Sequence, residues 1–374
     1  MTRLRRALDG IAAEAPLVDL ADAAIARHRR RRRATVSLAA VAVAATVAAT
    51  GVVMTAPWRA VTQPAVQVVD PAGPGEDRTA PGEDRADVAP DLPDEPVGRL
   101  SHAYMPRCKA VPCDRDDEWR VVTTAGTTYR LQKAVARTAK GRSVPIAISK
   151  NGGVLAYYSR EEQAYVVRDM QTGAEKVSPV KMPEKKIPVG ALLLVSDDGR
   201  YLVVDDPMEF DDYPGAIIDM RTGERTALRG DFEPFILKDG VLQLVRYIKT
   251  DLWLMPVTGG GKPVRFDGRF IMFSEVAPDG RTVVALDKTP EPEEAPVLTV
   301  LDAKTGAIVR RLPTPTTSGG PEPLWWLDDR EVVVKGHGKG TKMFALDVMT
   351  GDLRPLSDYG EDLLYLTLPG RVTK

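Results

Sequence analysis

Residues 194–206 read LVSDDGRYLVVDD, and residues 217–228 read IIDMRTGERTAL. Each is a pair of short, apolar, β-branched runs around a tight turn, Asp198-Gly199 in the first and Thr222-Gly223 in the second. That is the pattern of a β-hairpin, and two hairpins in succession make a four-stranded antiparallel sheet. The first pattern returns at AISKNGGVLAYYS (147–159), ILKDGVLQLVR (236–246), VAPDGRTVVALDK (276–288) and WLDDREVVVKG (326–336). The second follows it each time, at VVRDMQTGAEKV (166–177), LWLMPVTGGGKPV (252–264), TVLDAKTGAIVRRL (299–312) and FALDVMTGDLRPL (344–356). Its glycines, Gly173, Gly223, Gly259, Gly306 and Gly351, recur about every 45 residues, the length of one four-stranded repeat. Such sheets set around an axis form a β-propeller.

The ends of the repeat region predict how the ring closes. WRVVTTAGTTYRL (119–131) matches the second pattern, and GRLSHAYMP (98–106) supplies the strand before it, yet no innermost strand precedes that. At the other end, DLLYLTLP (362–369) is a single strand left over after a complete repeat. Pairing it into the first blade would close the ring and remove its exposed edges. The expectation is an all-β, six-bladed propeller over residues 97–374, with seven blades as the alternative.

The turns S-x-D-G-x-x-L (196–202) and P-D-G-R-x-V (278–283), with DLWLMPVTGGGKPV (251–264), resemble the TolB-type, WD-like repeat. That resemblance covers residues 97–374 and implies the same propeller. The whole layout also resembles membrane-anchored propeller proteins of high-GC actinobacteria, some of them encoded beside extracytoplasmic-function sigma factors. The segments LRRALDGIAAEAP (4–16) and HRRRRR (28–33) carry that second likeness.

Upstream of the repeats the chain changes character three times. Residues 35–56, TVSLAAVAVAATVAATGVVMTA, hold no charge. As a helix they would measure about 33 Å, enough for a hydrocarbon core of about 30 Å. The arginine block at 27–33 places the preceding flank in the cytoplasm, and Trp58 sits at interface depth on the other side. The reading is an uncleaved signal-anchor, because some 34 residues precede the apolar run and Met54 interrupts a small-residue cleavage pattern at Ala56. Residues 1–34 then form a cytoplasmic stub, with Leu4, Leu8, Ile11 and Ala15 at helical spacing up to Pro16. Residues 57–96, Pro-rich and carrying the tandem PGEDRTA–PGEDRAD (74–87), read as a disordered tether.

The formal net charge of −1 divides along the same lines, with +5 in residues 1–56 and −6 beyond them. It gives no reason to propose nucleic-acid binding. Two cysteines cannot make a disulfide scaffold, but Cys108 and Cys113 lie on the outer side in this topology, where a bridge between them would persist. Zinc would need two further ligands, and only His102 is near.

Candidate chemistry is sparse. No G-x-S-x-G elbow occurs, and the three histidines, His28, His102 and His337, stand far apart. The densest oxygen donors are Asp205, Asp206, Glu209, Asp211 and Asp212, in a loop joining the middle strands of one blade, where Ca²⁺ is the ion they would suit. A solvated acidic loop is the competing reading. Trp325 and Trp326 open an innermost strand, and alternation allows only one of them to face a neighbouring blade at that level. Core packing or an aromatic ligand platform are the two readings of the pair.

Loops between second and third strands share one face of a propeller with the connections between blades. The loops carry acids (Asp114, Asp116, Asp117 and Glu118; Glu161 and Glu162; Glu291, Glu293 and Glu294) and the connections carry bases (Lys133, Arg137, Lys140 and Arg142; Lys181, Lys185 and Lys186). A face of mixed sign suits a protein or peptide better than a polyanion. The expected function is therefore a non-enzymatic, membrane-tethered, extracytoplasmic module binding a protein, peptide or envelope component. A transmembrane regulator whose residues 1–34 engage a cytoplasmic factor such as a sigma factor is one alternative. A metal-dependent lactonase- or lyase-like enzyme is another.

Overall fold

A computed structural model describes residues 89–107, 118–205, 215–229, 231–247, 249–288, 296–314, 320–338, 340–360 and 363–372. The stub, the 35–56 segment and most of the tether lie outside these residues. Among the described residues no helix is long and apolar enough to cross a membrane.

Among the described residues twenty-four strands form six four-stranded antiparallel sheets. Blade 1 contains β1 (Leu100–Pro106), β2 (Arg120–Thr123) and β3 (Thr128–Arg130). Blade 2 is β4 (Ala147–Ile148), β5 (Val154–Ser159), β6 (Ala164–Asp169) and β7 (Glu175–Lys181). Blade 3 is β8 (Leu192–Val195), β9 (Tyr201–Asp205), β10 (Ala216–Asp219) and β11 (Arg225–Ala227). Blade 4 is β12 (Glu233–Lys238), β13 (Val241–Arg246), β14 (Asp251–Pro256) and β15 (Val264–Arg265). Blade 5 is β16 (Phe270–Ile271), β17 (Thr282–Asp287), β18 (Val297–Asp302) and β19 (Ile308–Pro313). Blade 6 is β20 (Glu322–Trp326), β21 (Glu331–Gly338), β22 (Gly340–Asp347) and β23 (Leu353–Asp358). The last strand, β24 (Leu363–Thr367), returns to blade 1, where it lies inside β1 in antiparallel register, Ala103 opposite Thr367 and Met105 opposite Leu364. The six blades and the closure by the C-terminal strand agree with the repeat pattern.

The core is divided among the seams between blades. Val135, Tyr158 and Val167 of the blade 2 side pack with Leu193, Val204 and Ile218 of blade 3, and comparable clusters fill the next three seams. Leu100, Trp119 and Val121 meet Leu155, Tyr157 and Val166 between blades 1 and 2. The seam that closes the ring, between blades 6 and 1, is the thinnest. Its buried cluster is Leu324, Val333, Met343 and Leu368, with Trp325, Tyr359 and Leu366 half-buried beside it.

One turn recurs in four blades, the D-x-x-T-G sequences beginning at Asp169, Asp219, Asp302 and Asp347. In each, the Asp Oδ1 accepts the backbone N–H groups two and three residues on, as Asp302 does from Lys304 (2.8 Å) and Thr305 (3.1 Å). In blades 3, 5 and 6 the other oxygen takes an arginine from the preceding hairpin: Arg200 on Asp219, Arg281 on Asp302, Arg330 on Asp347. The glycine sits at positive φ, and at Gly173 and Gly306 a Cβ would collide with the carbonyl oxygens of Asp94 and Arg265 in the preceding segment. The turn therefore caps one hairpin and docks against the segment before it. The Arg281 hydrogen bond holds the Asp302 carboxyl down at about 2. Arg281 is largely exposed, so the ion pair is screened and the two backbone bonds carry most of the effect. Asp302→Ala, which removes the acceptor of both backbone bonds, is expected to cost about 1–2 kcal/mol. Urea titration should show a lower midpoint with an unchanged slope, and an unchanged midpoint would contradict this role.

The structure revises the downstream limit of the tether. Residues 89–96 are packed on the ring. Asp91 bridges in parallel to Arg130 of the outermost strand β3, with Leu92 N donating to Arg130 O and Arg130 N to Pro90 O, both at 2.8 Å. Leu92 is buried, the Arg168 guanidinium donates to the carbonyls of Pro93 and Glu95, and Val97 N and Gly98 N donate to Met170 O. Backbone bonding to a sheet edge needs no apolar pattern, so a Pro-rich, acidic stretch adopts it without announcing it.

Candidate functional site

A cleft of about 570 Å³ opens between blades 1 and 2. One wall is the connection after β3, Gln132–Arg137, and the other is the β5–β6 loop from Ser159 to Glu162. Its floor is Val135, Ala136, Tyr157, Val166 and Val177. The loop and the connection do share one face, and Lys133, Arg137, Glu161 and Glu162 from the two sets come together here.

Its lower end is electrically closed. Glu175 accepts from Tyr157 Oη (3.0 Å), Arg168 (3.2 Å) and Lys133 (3.1 Å), and Lys133 also holds Asp94 at 3.0 Å. Burial pushes the Tyr157 phenol well up, so it stays a donor, while the bond to Asp94 raises Lys133. The upper end is different. Residues 137–143 fold back on themselves, with an Arg137–Ser143 bridge and Thr138 N on Arg142 O at 2.8 Å, leaving Lys140 exposed in the turn. The next connection makes a single 3-10 turn, Glu184–Lys186, after Pro183. Glu184 ties the two together: it accepts Ala139 N at 2.6 Å and Arg160 at 2.7 Å, and the arginine lowers its pKa. Lys185 and Lys186 are exposed beside it.

The centre of the ring is occupied by the chain's own C-terminal segment. Beyond β24 the chain turns at Leu368–Gly370 and runs back along the innermost strands. Gly370 N donates to Ile148 O (2.8 Å), Arg371 forms an antiparallel bridge with Ile236, and Val372 N meets Phe235 O (3.4 Å). The buried Arg371 guanidinium donates to Leu324 O (3.2 Å), Phe273 O (3.3 Å) and Glu322 (3.4 Å). Four blades are thus stitched by two residues. A second buried carboxylate, Glu275, takes Lys150 at 2.8 Å and Lys238 at 3.4 Å. Burial pushes Lys150 and Arg371 below their ordinary values, and Glu275 and Glu322 oppose that shift. Asp197, near Lys150 and Asp239, is raised by burial.

The tryptophan pair divides as strand alternation requires. Trp326 is buried in the blade 5–6 seam, its Nε1 donating to Glu275 O (2.8 Å) and its backbone N to Glu275 Oε1 (3.3 Å). Trp325 is half-buried, with Lys150 Nζ 5.5 Å above its ring. Of the candidate calcium ligands, Asp205 ends β9, buried against Gly215, where a Cβ would strike its Oδ1. Asp206, Glu209, Asp211 and Asp212 lie outside the described residues, as do Cys108 and Cys113. Among the described residues no group of three or more His, Cys, Asp or Glu is arranged to hold a metal ion.

Sequence reasoning missed Glu275, Glu322, Lys150, Lys238 and Arg371. Charged residues in turns and near a terminus look solvated, and nothing in their spacing marks them as converging on an axis.

No family model matches the chain, and no curated protein does. Solved structures similar to it include TolB from Acinetobacter baumannii, at 18% identity and a TM-score of 0.47, over 72% of this chain and 65% of that one. This chain therefore spans less than two thirds of TolB. A functionally unknown protein from Desulfotomaculum acetoxidans is similar at 13% identity and a TM-score of 0.43, over 72% and 83% of the two chains. The Cps50 (Swd1) β-propeller domain of Myceliophteria thermophila is similar at 14% identity and a TM-score of 0.38, over 59% and 71%.

Proposed function

We propose that this chain is a membrane-tethered, extracytoplasmic β-propeller that binds a protein or peptide and has no catalysis of its own. The observation that carries the binding role is the cleft between blades 1 and 2, whose volume lies within the roughly 300–1,000 Å³ of ligand pockets. Its two walls are the connection from blade 1 to blade 2 and the β5–β6 loop of blade 2, and its rim is polar over an apolar floor. The buried carboxylates at the axis, by contrast, are engaged by cations of the same ring. Support for the tether comes from the uncharged run at 35–56 behind its arginine block, and for the outward orientation from the side on which that block falls.

Photo-crosslinking in the native cell tests this reading. A benzophenone side chain replacing Glu161, exposed at the cleft, is expected to yield a discrete adduct. The same group replacing Lys304, exposed in a third-to-fourth-strand turn on the opposite face, is expected to yield none. Absence of an adduct at 161, or identical adducts at both positions, would count against the cleft.

A further inference from the structure

We propose that the outer groove of the blade 1–2 seam is a peptide-binding site that the chain fills with its own residues 89–97, and that a Pro-rich acidic segment of a partner takes their place. The site is distinct from the cleft, and its present occupant defines the ligand chemistry. That occupant reads APDLPDEPV, with prolines at 90, 93 and 96. Proline at every third position favours an extended backbone, which binds with a small ordering penalty. The groove answers each feature of it. Leu92 N donates to Arg130 O and Arg130 N to Pro90 O, so the segment lies along β3 as a strand added to a sheet edge. Leu92 joins the buried cluster between blades 1 and 2, and Gln132 Nε2 donates to its carbonyl at 3.0 Å. Arg130 pairs with Asp91 at 2.6 Å and Lys133 with Asp94 at 3.0 Å.

Two observations mark the occupant as exchangeable. Within residues 89–97 only Ala89 and Leu92 are buried, and both ion pairs join exposed side chains, so the segment is lightly held. The second is Arg168 at the groove floor, whose guanidinium is buried and donates to the carbonyls of Pro93 and Glu95. Its Nε is buried too and finds no acceptor among the described residues. A carboxylate brought by an incoming segment can satisfy that donor, which the present carbonyls leave unmet. An empty groove would take two further acceptors from the same guanidinium. Release of residues 89–97 is therefore coupled to capture of a replacement, and the site passes from one extended segment to another.

The test uses the full chain in detergent and a fluorescein-labelled nonapeptide, APDLPDEPV, read by fluorescence anisotropy. The double variant Leu92→Lys, Asp94→Lys dislodges the chain's own segment and leaves the groove residues unchanged. Freed of the competing internal segment, it is expected to bind the nonapeptide about tenfold more tightly than the parent chain. The peptide should also raise the melting temperature of this variant and leave that of the parent unchanged. If the variant does not fold, Asp91→Lys, Asp94→Lys, altered only at exposed positions, replaces it. Adding Arg130→Glu is expected to weaken binding about threefold, and a nonapeptide carrying Asp91→Arg to recover it. Equal binding by parent and variant would place the peptide elsewhere and overturn the proposal. So would equal binding of a scrambled nonapeptide, an affinity untouched by Arg130→Glu, or no binding to the dislodged chain.

Discussion

Arg371→Ala is expected to destabilise the ring by about 3–5 kcal/mol, since each of the three charge-assisted hydrogen bonds it removes is worth about 1–2 kcal/mol. The change takes away three hydrogen bonds at the axis and leaves the carbonyls of Leu324 and Phe273 without that donor. Glu322 keeps Lys335, which stands 2.5 Å away, so its charge is not abandoned. The larger effect is topological. Arg371 lies at the end of the segment that follows β24, and the seam β24 closes has the thinnest buried cluster of the six. Arg371→Met keeps much of the volume without the charge and should lose about half as much. In a domain of this size 1 kcal/mol moves the melting temperature by roughly 2–4 °C, so the alanine variant should melt at least 6 °C lower. A shift below 2 °C would mean that the segment merely rests in the channel.

His102 should make the same closure sensitive to mild acid. It lies on β1, stacked on Tyr104 with centroids 6.0 Å apart and edge-on to Tyr359 of the blade 6 side at 5.0 Å. Ser101 Oγ is 2.9 Å from its Nδ1. Burial pulls its pKa down from 6.5 to about 4. The unfolded chain therefore takes up the proton first, and stability falls as pH drops. The contribution is fully present above about pH 6.5 and is lost progressively down to about pH 4, amounting to about 2 kcal/mol at pH 5. Carboxylates such as Asp302, held at about 2 by Arg281, act only below this window. Asp197, raised by burial, works in the opposite sense. His102→Phe should flatten the stability profile between pH 7 and pH 5 relative to the parent chain. Parallel profiles for the two would remove His102 from the account.

What could be read from the sequence was whatever the repeat enforces. Asp169, Asp219, Asp302 and Asp347 each need two backbone donors and a glycine four positions past them, so their spacing reports the hairpin directly. The unpaired strand at 363–367 likewise has one place to go in a closed ring. Alternation limited the Trp325–Trp326 pair to one seam-facing member without saying which. The structure selects Trp326, whose indole finds Glu275 O. The strap from Pro90 to Gly98 was not legible, because it is held by main-chain bonds and by Arg168 reaching it from β6, more than seventy residues away in sequence. The axial charges were hidden for a related reason. Lys150, Lys238, Glu275 and Arg371 come from three blades and the C-terminal segment, and only closure of the ring brings them together.

An extracytoplasmic binding role requires the propeller to stand outside the membrane. Trypsin added to intact protoplasts should cut after Arg78 or Arg85 and release a folded fragment that begins in the 79–86 region. That fragment should keep the melting transition of the full-length chain, while residues 1–34 stay with the membrane until lysis. A full-length chain untouched by external trypsin, and cleaved only once the cells are opened, would contradict the account.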